Sequence, residues 1–273
     1  MDNSIDDTAF NGSIPALYDR CLGPFLFEPY AAEIANRAMQ IGPWHLLETA
    51  AGTGIVTQAL SRMLPAIDIV ATDLNPAMLE VAHGRVTSSK VGFAPVNAQD
   101  LPFPDGCFDM VVCQFGAMFF PDRPAAYREA FRVLRPGGYF LLAVWDRIEA
   151  NPAAAAVAEA VAGLFPDDPP GFLARTPYGY HDADLIEAEL DAAGFRARQV
   201  ETVAKESRGK AGEVALGLCQ GSPLRAEIEA RAPERLGEAT DAAAARLRAL
   251  AGGAEALALP MSALIVGARR PLA

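Results

Sequence analysis

The stretch from Leu46 to Thr57 constrains the fold of this chain more than any other. An apolar run ends in Glu48 and is followed by a turn that contains Gly52 and Gly54. This pattern predicts a buried strand, a tight loop whose glycines let a ligand approach the backbone, and the start of a helix. We therefore expect the loop to bind a nucleotide-like cofactor.

The rest of the chain alternates between strand and helix patterns. Strands are predicted at 44–49, 67–72, 91–96, 108–114, 139–145, 198–205 and 261–268. Helices are predicted at 14–21, 24–39, 54–64, 124–134, 152–165 and 182–193, from Pro76 onward, and across the polar region 209–253. Gly137 and Gly138 are expected to end the helix at 124–134. The first five strands are largely apolar and alternate with helices, which indicates an α/β protein with a parallel sheet covered on both faces. The last two strands are expected to end the same sheet.

The domain organisation follows from these segments. Residues 1–43 are expected to form helices that cover the cofactor site. Residues 44–273 are expected to form the main domain, with insertions at about 151–181 and 207–255 that lie as a helical lid over the carboxyl ends of the strands.

Composition and charge exclude several classes of protein. With 273 residues, 51% of them hydrophobic, the chain is long enough to bury its own core. A net charge of −11 argues against nucleic acid as a partner, because such binding depends on Lys and Arg neutralising phosphates. The acidic N-terminus is unlike a secretory signal, and no apolar stretch approaches a membrane span, so a cytoplasmic location is expected. The four widely spaced cysteines fit neither a metal site nor a disulfide framework, and no bound metal is expected.

Polar residues follow four of the predicted strands at the point where each strand ends. Glu48 and the glycine turn follow the first strand, Asp73 the second, Asn97, Ala98 and Gln99 the third, and Gln114 the fourth. Ligands of open parallel sheets bind beyond these carboxyl ends. Asp73 lies 19 residues after Gly54, a separation that suits a carboxylate accepting hydrogen bonds from ribose hydroxyls. The alternative role for Asp73 is a cap of the helix that begins near Pro76.

The glycine spacing bears on which cofactor binds. The dinucleotide fingerprint G-x-G-x-x-G requires a third glycine, but Thr57 stands at that position. A pyrophosphate site is therefore disfavoured. An acid before the turn and two glycines inside it suit a cofactor with an amino-acid tail.

Four segments, in this order and spacing, resemble a known enzyme family. They are LLETAAGTG at 46–54, ATDLNPAML at 71–79, NAQDLPFPDGCFD at 97–109 and VLRPGG at 133–138. Together they are similar to class I S-adenosylmethionine-dependent methyltransferases of the type 11 group, which includes the ubiquinone and menaquinone C-methyltransferases. The resemblance covers about 40% of the chain and implies a Rossmann-like, seven-stranded, mostly parallel sheet.

The resemblance also implies roles for individual residues. The backbone of Gly52, Thr53 and Gly54 would cradle the methionine part of the cofactor, and Asp73 would hold the ribose. Leu74 would lie against the adenine ring, with Asn97, Ala98 and the neighbouring Gln99 at its edge, and Gln114 would approach the amino group. Glu48 would order the loop and orient water or the amino end of the cofactor.

Two departures from the family pattern carry expectations of their own. Ala50 stands where many members have glycine. An alanine at positive φ loses roughly 1–2 kcal/mol, so Ala50 is expected to be extended. The apolar stretch 115–120 lacks the polar pair of the quinone enzymes, which argues against a quinone acceptor, and it either faces the acceptor or packs against the lid.

The expected function is transfer of a methyl group from S-adenosylmethionine to a small-molecule acceptor, leaving S-adenosylhomocysteine. The aromatic residues Phe172, Tyr178, Tyr180 and Trp145 favour an apolar or aromatic acceptor, methylated on oxygen or carbon. His181 and Tyr18 are the candidate catalytic bases, with Asp146 a further possibility. The alternatives are an NAD-dependent oxidoreductase and a non-catalytic S-adenosylmethionine-binding protein. The sequence leaves the oligomeric state open.

Overall fold

A computed structural model describes Gly12 and residues 14–272 of the chain. The helices are α1 Ile14–Leu17, α2 Glu28–Ile41, α3 Ile55–Met63, α4 Pro76–Arg85, α5 Arg123–Val133, α6 Pro152–Leu164, α7 Phe172–Arg175, α8 Ala183–Ala192, α9 Ala211–Gln220, α10 Leu224–Arg231 and α11 Leu236–Leu250. The strands are β1 His45–Glu48, β2 Asp68–Asp73, β3 Val91–Pro95, β4 Phe108–Gln114, β5 Leu134–Trp145, β6 Arg196–Lys210 and β7 Ala256–Arg269.

The strands form one seven-stranded sheet in the order β3-β2-β1-β4-β5-β7-β6. The pairs from β3 to β5 are all parallel, whereas β7 runs antiparallel to β5. Leu46 and Leu47 of β1 and all residues from Met110 to Cys113 of β4 are fully buried. Because consecutive strand residues point to opposite faces, both faces of these central strands are covered. The predicted seven-stranded, mostly parallel sheet is confirmed.

The chain divides into two compact units. The sheet unit comprises Tyr30–Trp145, His181–Val203 and the residues from Ala263 on. The helical unit comprises the described residues up to Pro29, together with Asp146–Tyr180 and Ala204–Ser262. Neither unit is a continuous segment of the sequence. The expected division into a cover at 1–43 and a domain with lid insertions stays a prediction.

The helices predicted at 14–21 and 24–39 are a single helical run from Ile14 to Ile41. Its middle part, Tyr18–Phe27, is a π-helix that contains Pro24, and the N–H of Glu28 donates to the carbonyl of Gly23 five residues before it. A proline has no N–H to donate and crowds the preceding turn, and the wider π turn relieves both constraints. The proline therefore changes the helix type without interrupting the run.

The prediction that Gly137 and Gly138 end α5 is wrong, although the helix ends next to its predicted last residue, Leu134. This helix ends at Val133, and Gly137 and Gly138 lie inside β5. Pro136 offers no N–H to a helix and disfavours helical backbone at Arg135, so the chain becomes extended before it reaches the glycines. Gly138 is required by packing, because a Cβ there would lie 2.8 Å from the carbonyl oxygen of Arg135.

In the second half of the chain the structure adds detail to the predicted pattern. The polar region 209–253 comprises three α-helices, α9 to α11, and the loop 166–180 contains the short helix α7.

The four cysteines are free thiols. Within residues 14–272, no helix combines the length and apolar character needed to cross a membrane.

Candidate functional site

The carboxyl ends of β1, β2 and β4 lie side by side in the sheet unit. Glu48, the last residue of β1, is in register with Ala71 of β2 and Val112 of β4. The chain runs outward from β1 to β2 and β3 and then returns to place β4 on the other side of β1. Strand order reverses at this point, which is where open α/β sheets bind ligands. The sheet thus places Glu48, Asp73 and Gln114 at one edge.

The loop that follows β1 is held by hydrogen bonds from its own N–H groups. The N–H of Ala51 donates to the carbonyl of Thr72 at 2.9 Å, and the N–H of Gly54 donates to the carbonyl of Ala51 at 3.0 Å. The N–H of Gly52 donates to Oδ2 of Asp73 at 2.8 Å. A pyrophosphate site needs such N–H groups directed at the ligand. These bonds direct the N–H groups of Ala51, Gly52 and Gly54 to the protein's own acceptors, so these three are not available to a pyrophosphate.

Asp73 joins the loop to the end of β2. Its Oδ2 accepts from Gly52 and its Oδ1 accepts from the N–H of Asn75 at 2.8 Å. The cap of α4 is Asn75, whose Oδ1 accepts from the N–H of Ala77, so the alternative role of Asp73 as this cap is wrong. Burial raises the pKa of Asp73, and the two N–H bonds oppose that rise. Each carboxylate oxygen can accept a second hydrogen bond, which leaves capacity for hydroxyl groups of a ligand.

Glu48 is a buried carboxyl group beside this carboxylate. Only 2% of the residue is exposed, and its Oε2 accepts from the hydroxyl of Thr57 at 2.7 Å. Burial raises the pKa of Glu48 to about 8; the Thr57 bond opposes the rise and the charge of Asp73 adds to it. Glu48 is thus mostly protonated at pH 7, and a cationic ligand nearby would favour its ionised form.

The role of Thr57 was not predicted. Thr57 stands where a dinucleotide site would have its third glycine, and its hydroxyl donates to the carboxyl group of Glu48, the acid that precedes the turn. A hydroxyl residue one turn into the helix, nine positions after a buried acid, was the available signal.

The expectation that Ala50 is extended is wrong. Its φ is +53°, in the left-handed region, and Gly52 and Gly54 follow with φ of +56° and +77°. The loop must turn sharply to bring Ala51 back to β2 for its bond to Thr72, and Ala50 takes part in that turn. The alanine bears strain that a glycine would avoid.

The loop also packs closely against α4. A Cβ at Gly54 would lie 2.8 Å from the Cβ of Ala82, so only glycine fits there. Arg85 of the same helix donates from Nε to the carbonyl of Thr53 at 2.9 Å, and Gln58 donates to the carbonyl of Arg85 at 3.0 Å. The role of Arg85 was not predicted, because no sequence pattern identifies an arginine that contacts a carbonyl 32 residues earlier.

The remaining predicted cofactor residues follow β2, β3 and β4. Leu74 is 60% exposed although it is apolar, and Asn97 is exposed whereas Ala98 is buried. Gln99 directs Oε1 to the N–H of Asp122, the residue that caps α5, at 2.6 Å. Gln114 is half-buried at the end of β4. Their roles toward a cofactor stay predictions.

The candidate bases lie in both units. His181 is an exposed residue of the sheet unit, directly before Asp182, which caps α8. Tyr18 belongs to the helical unit, where its ring stacks on Phe27 with centroids 4.8 Å apart. Asp146, also of the helical unit, accepts from the hydroxyl of Ser262 at 2.8 Å. A catalytic role for any of them stays a prediction.

The apolar stretch after Gln114 starts in the core. Phe115 stacks on Trp145 with ring centroids 3.8 Å apart, and Tyr30 meets both rings edge-on. Ala117 and Met118 are also buried, while Phe119 and Phe120 are half-buried. Phe172, Tyr178 and Tyr180 are buried in the helical unit. Core packing accounts for most of these side chains.

The loop offers features that fit a ligand of the predicted kind. The hydroxyl of Thr53 is buried and has no hydrogen-bond partner among the described residues. The space in front of Gly52 is open, since a Cβ there would meet no atom within 4 Å. With two carboxyl groups close by and an exposed apolar residue at Leu74, the site suits a cationic ligand that carries hydroxyl groups and a flat ring.

The strand order, with an antiparallel β7 inserted between β5 and β6, defines the class I methyltransferase fold. Residues 47–142 match a protein family described as "Methyltransferase domain". This segment is therefore similar to a methyltransferase domain, which confirms the resemblance predicted from the motifs.

Individual relatives resemble part of this chain, and solved structures share its fold. A ubiquinone/menaquinone biosynthesis C-methyltransferase of Pasteurella multocida is 37% identical over 102 residues, which are 36% of this chain and 38% of the relative. The YcgJ protein of Bacillus subtilis is 20% identical, with 89% of this chain and 99% of that chain covered and a TM-score of 0.58. The [4+2]-cyclase SpnF is 22% identical, with 95% and 94% covered and a TM-score of 0.59.

These comparisons cover only part of each curated relative, and with the solved structures they show only a shared fold. The chain spans less than half the length of the first four curated relatives that it matches. The two solved structures share the fold, and one of them is named for a cyclisation, so the fold alone leaves the reaction open.

Proposed function

We propose that this protein binds S-adenosylmethionine at the carboxyl ends of β1, β2 and β4 and transfers its methyl group to a small-molecule acceptor. The observation that carries the proposal is the Asp73 carboxylate, which bridges the N–H groups of Gly52 and Asn75 beside the buried Glu48. This arrangement fixes a carboxylate next to a loop of positive-φ residues, in a domain that matches the methyltransferase family.

Each predicted residue then has a role. Asp73 accepts hydrogen bonds from the ribose hydroxyls, and the open face of Gly52 lets the methionine part approach the backbone, with the Thr53 hydroxyl as a hydrogen-bonding group. Leu74 covers the adenine ring, whose edge meets Asn97 and Ala98, with Gln99 beside them. Gln114 and Glu48 face the amino end of the cofactor.

The contribution of the chain to the reaction is mainly one of placement. When bound, S-adenosylmethionine supplies an activated methyl group. The residues at the strand ends hold the donor, and the acceptor site holds a nucleophile in line with it, an arrangement that in intramolecular systems reaches effective molarities of order 10⁵–10⁸ M. An acidic acceptor would be helped by a base, for which His181 and Tyr18 are the proposed groups.

We propose an apolar or aromatic acceptor that is methylated on oxygen or carbon. The half-buried rings of Phe119 and Phe120, which follow β4, support an apolar contact surface beside the donor site. The curated relatives are named for C-methylation in quinone biosynthesis, but the stretch 115–120 lacks the polar pair of those enzymes, so we propose a different acceptor.

Binding of the cofactor is tested by calorimetry with S-adenosylmethionine, S-adenosylhomocysteine and NAD. We expect the first two to bind and NAD not to bind. Asp73→Asn keeps an oxygen for one backbone N–H but removes the charge, and we expect it to weaken binding by about 1.5–3 kcal/mol. The matched control is Asp68→Asn at the opposite end of β2, where Asp68 pairs with Lys90 at 2.9 Å. Unchanged affinity in a folded Asp73→Asn protein would refute the site.

Methyl transfer is tested separately with a methyl-labelled donor and a metabolite extract. We expect label to appear in a compound of the extract and S-adenosylhomocysteine to accumulate with it. Tight cofactor binding without any labelled product would favour the non-catalytic alternative, and NAD binding would favour the oxidoreductase.

A further inference from the structure

Two loops of the sheet unit meet at Ala50 and Gly116. Ala50 lies in loop 49–54, which follows β1, and Gly116 lies in loop 115–120, which follows β4. The contact is close, because a Cβ at position 116 would lie 2.3 Å from the Cβ of Ala50 and 3.0 Å from Sγ of Cys113. The methyl group of Ala50 therefore occupies the space that a side chain at 116 would need.

The backbone conformation does not explain why position 50 is alanine or why position 116 is glycine. Ala50 has φ of +53°, a conformation that favours glycine. Gly116 has φ of −102°, which any residue adopts. The glycine that a positive φ favours is thus absent from loop 49–54. Loop 115–120 has a glycine at 116, where the backbone conformation does not require one. The contact accounts for the glycine at 116, because the methyl group of Ala50 leaves no room for a side chain there.

Both loops are fixed on either side of the contact. Thr49 donates to the carbonyl of Val112 at 2.9 Å, and Ala51 donates to the carbonyl of Thr72 at 2.9 Å. Phe115 has a positive φ of +55°, donates its N–H to the carbonyl of Ala143 and stacks on Trp145. Strained conformations such as those of Ala50 and Phe115 persist only where the surroundings determine them.

We propose that Ala50 and Gly116 form a positioning pair that locks the donor-binding loop 49–54 to loop 115–120. The role given to loop 49–54 rests on the proposed function. Through this contact, the placement of Phe115 and its neighbours sets the conformation of the loop that receives the cofactor. A change at position 116 therefore acts on cofactor binding through Ala50.

The test uses Gly116→Ala, Ala50→Gly and the double variant. Gly116→Ala brings two methyl groups into overlap and must separate the loops. Ala50→Gly removes one methyl group and relieves the positive φ, so the double variant loses the overlap at 2.3 Å and keeps only the milder approach to Sγ of Cys113 at 3.0 Å. The matched control is Gly92→Ala in β3, where a Cβ would meet no atom within 4 Å.

The first readout is amide hydrogen exchange of the ligand-free proteins at Ala51, Gly52 and Gly54. We expect Gly116→Ala to lower protection of these amides by about tenfold or more, although the substitution lies in the other loop. The double variant should return to within about threefold of Ala50→Gly, and Gly92→Ala should match the wild type. If Gly116→Ala does not fold, recovery of folding in the double variant supports the pair.

The second readout is the affinity for S-adenosylhomocysteine by calorimetry. We expect the same order, with Gly116→Ala weakened by about tenfold and the double variant recovering most of the loss. Wild-type exchange in Gly116→Ala, or a double variant as impaired as Gly116→Ala, would overturn the proposal. A wild-type protein that binds no cofactor would refute the proposed function but leave the exchange result valid.

Discussion

Burial of the Glu48 side chain makes the free energy of unfolding of the whole protein depend on pH. Its pKa is raised from 4.5 to about 8 in the folded state, mainly by burial. Between these values the folded protein binds one more proton than the unfolded chain. The free energy of unfolding therefore falls as pH rises, by at most about 1.4 kcal/mol per pH unit from this group.

We expect Glu48→Gln to flatten that slope, because glutamine keeps the volume and an oxygen for the Thr57 hydroxyl but does not titrate. The measurement is urea denaturation of wild type and variant at pH 5, 6, 7 and 8. Glu159→Gln, which removes an exposed carboxylate paired with Arg246, is the matched control. Equal slopes for wild type and Glu48→Gln would show that burial does not shift this group.

The residues of the site were predictable from sequence to different degrees. Asp73 and Gln114 follow apolar runs, so their positions at strand ends could be predicted. The conformation of Ala50 could not, because it depends on a bond from Ala51 to Thr72 and on contact with Gly116, both distant in sequence. Arg85 was missed for the same reason.

At the scale of elements, Gly52 and Gly54 of loop 49–54 differ in how closely they approach α4. Gly52 and Gly54 both have positive φ, but only Gly54 faces a close neighbour, at Ala82. An alanine at Gly52 bears the backbone strain alone, whereas an alanine at Gly54 also pushes α4 away from the loop.

We expect Gly52→Ala to lower the free energy of unfolding by roughly 1–2 kcal/mol. Gly54→Ala should cost about 1–3 kcal/mol more, since overlap with Ala82 adds to the strain. Urea denaturation of the two variants gives the difference, and each serves as the control for the other. Equal losses would mean that α4 moves aside at no cost.

The elements themselves follow from local patterns where these patterns are strong. Strand β4 has the predicted bounds, because an apolar run between polar turns specifies it. The π-helical turn around Pro24 and the early start of β5 at Leu134 were not predicted. Both depend on how the backbone accommodates a proline, for which the sequence offers more than one solution.

At the scale of the whole molecule, each of the two units combines segments that are distant in sequence. The chain changes unit after Pro29, Trp145, Tyr180, Val203 and Ser262. Two segments of the helical unit, Asp146–Tyr180 and Ala204–Ser262, begin and end near the insertions predicted at about 151–181 and 207–255. Several of the changes fall within helices or strands such as β6 and β7, so their positions depend on packing between distant segments and could not be predicted from local patterns.

The net charge of −11 leads to a prediction for the whole molecule. S-adenosylmethionine carries one net positive charge, whereas S-adenosylhomocysteine is neutral overall because it lacks the sulfonium. A negatively charged protein attracts the donor over a distance set by the Debye length, which is about 10 Å at 0.1 M salt.

Raising salt from about 20 to 300 mM should therefore weaken donor binding by roughly threefold and leave product binding almost unchanged. Calorimetry of both ligands over this range measures the difference, with the product as the matched control for every contact except the charge. Equal salt dependence of the two ligands would mean that the net charge of the protein does not contribute to binding of the sulfonium.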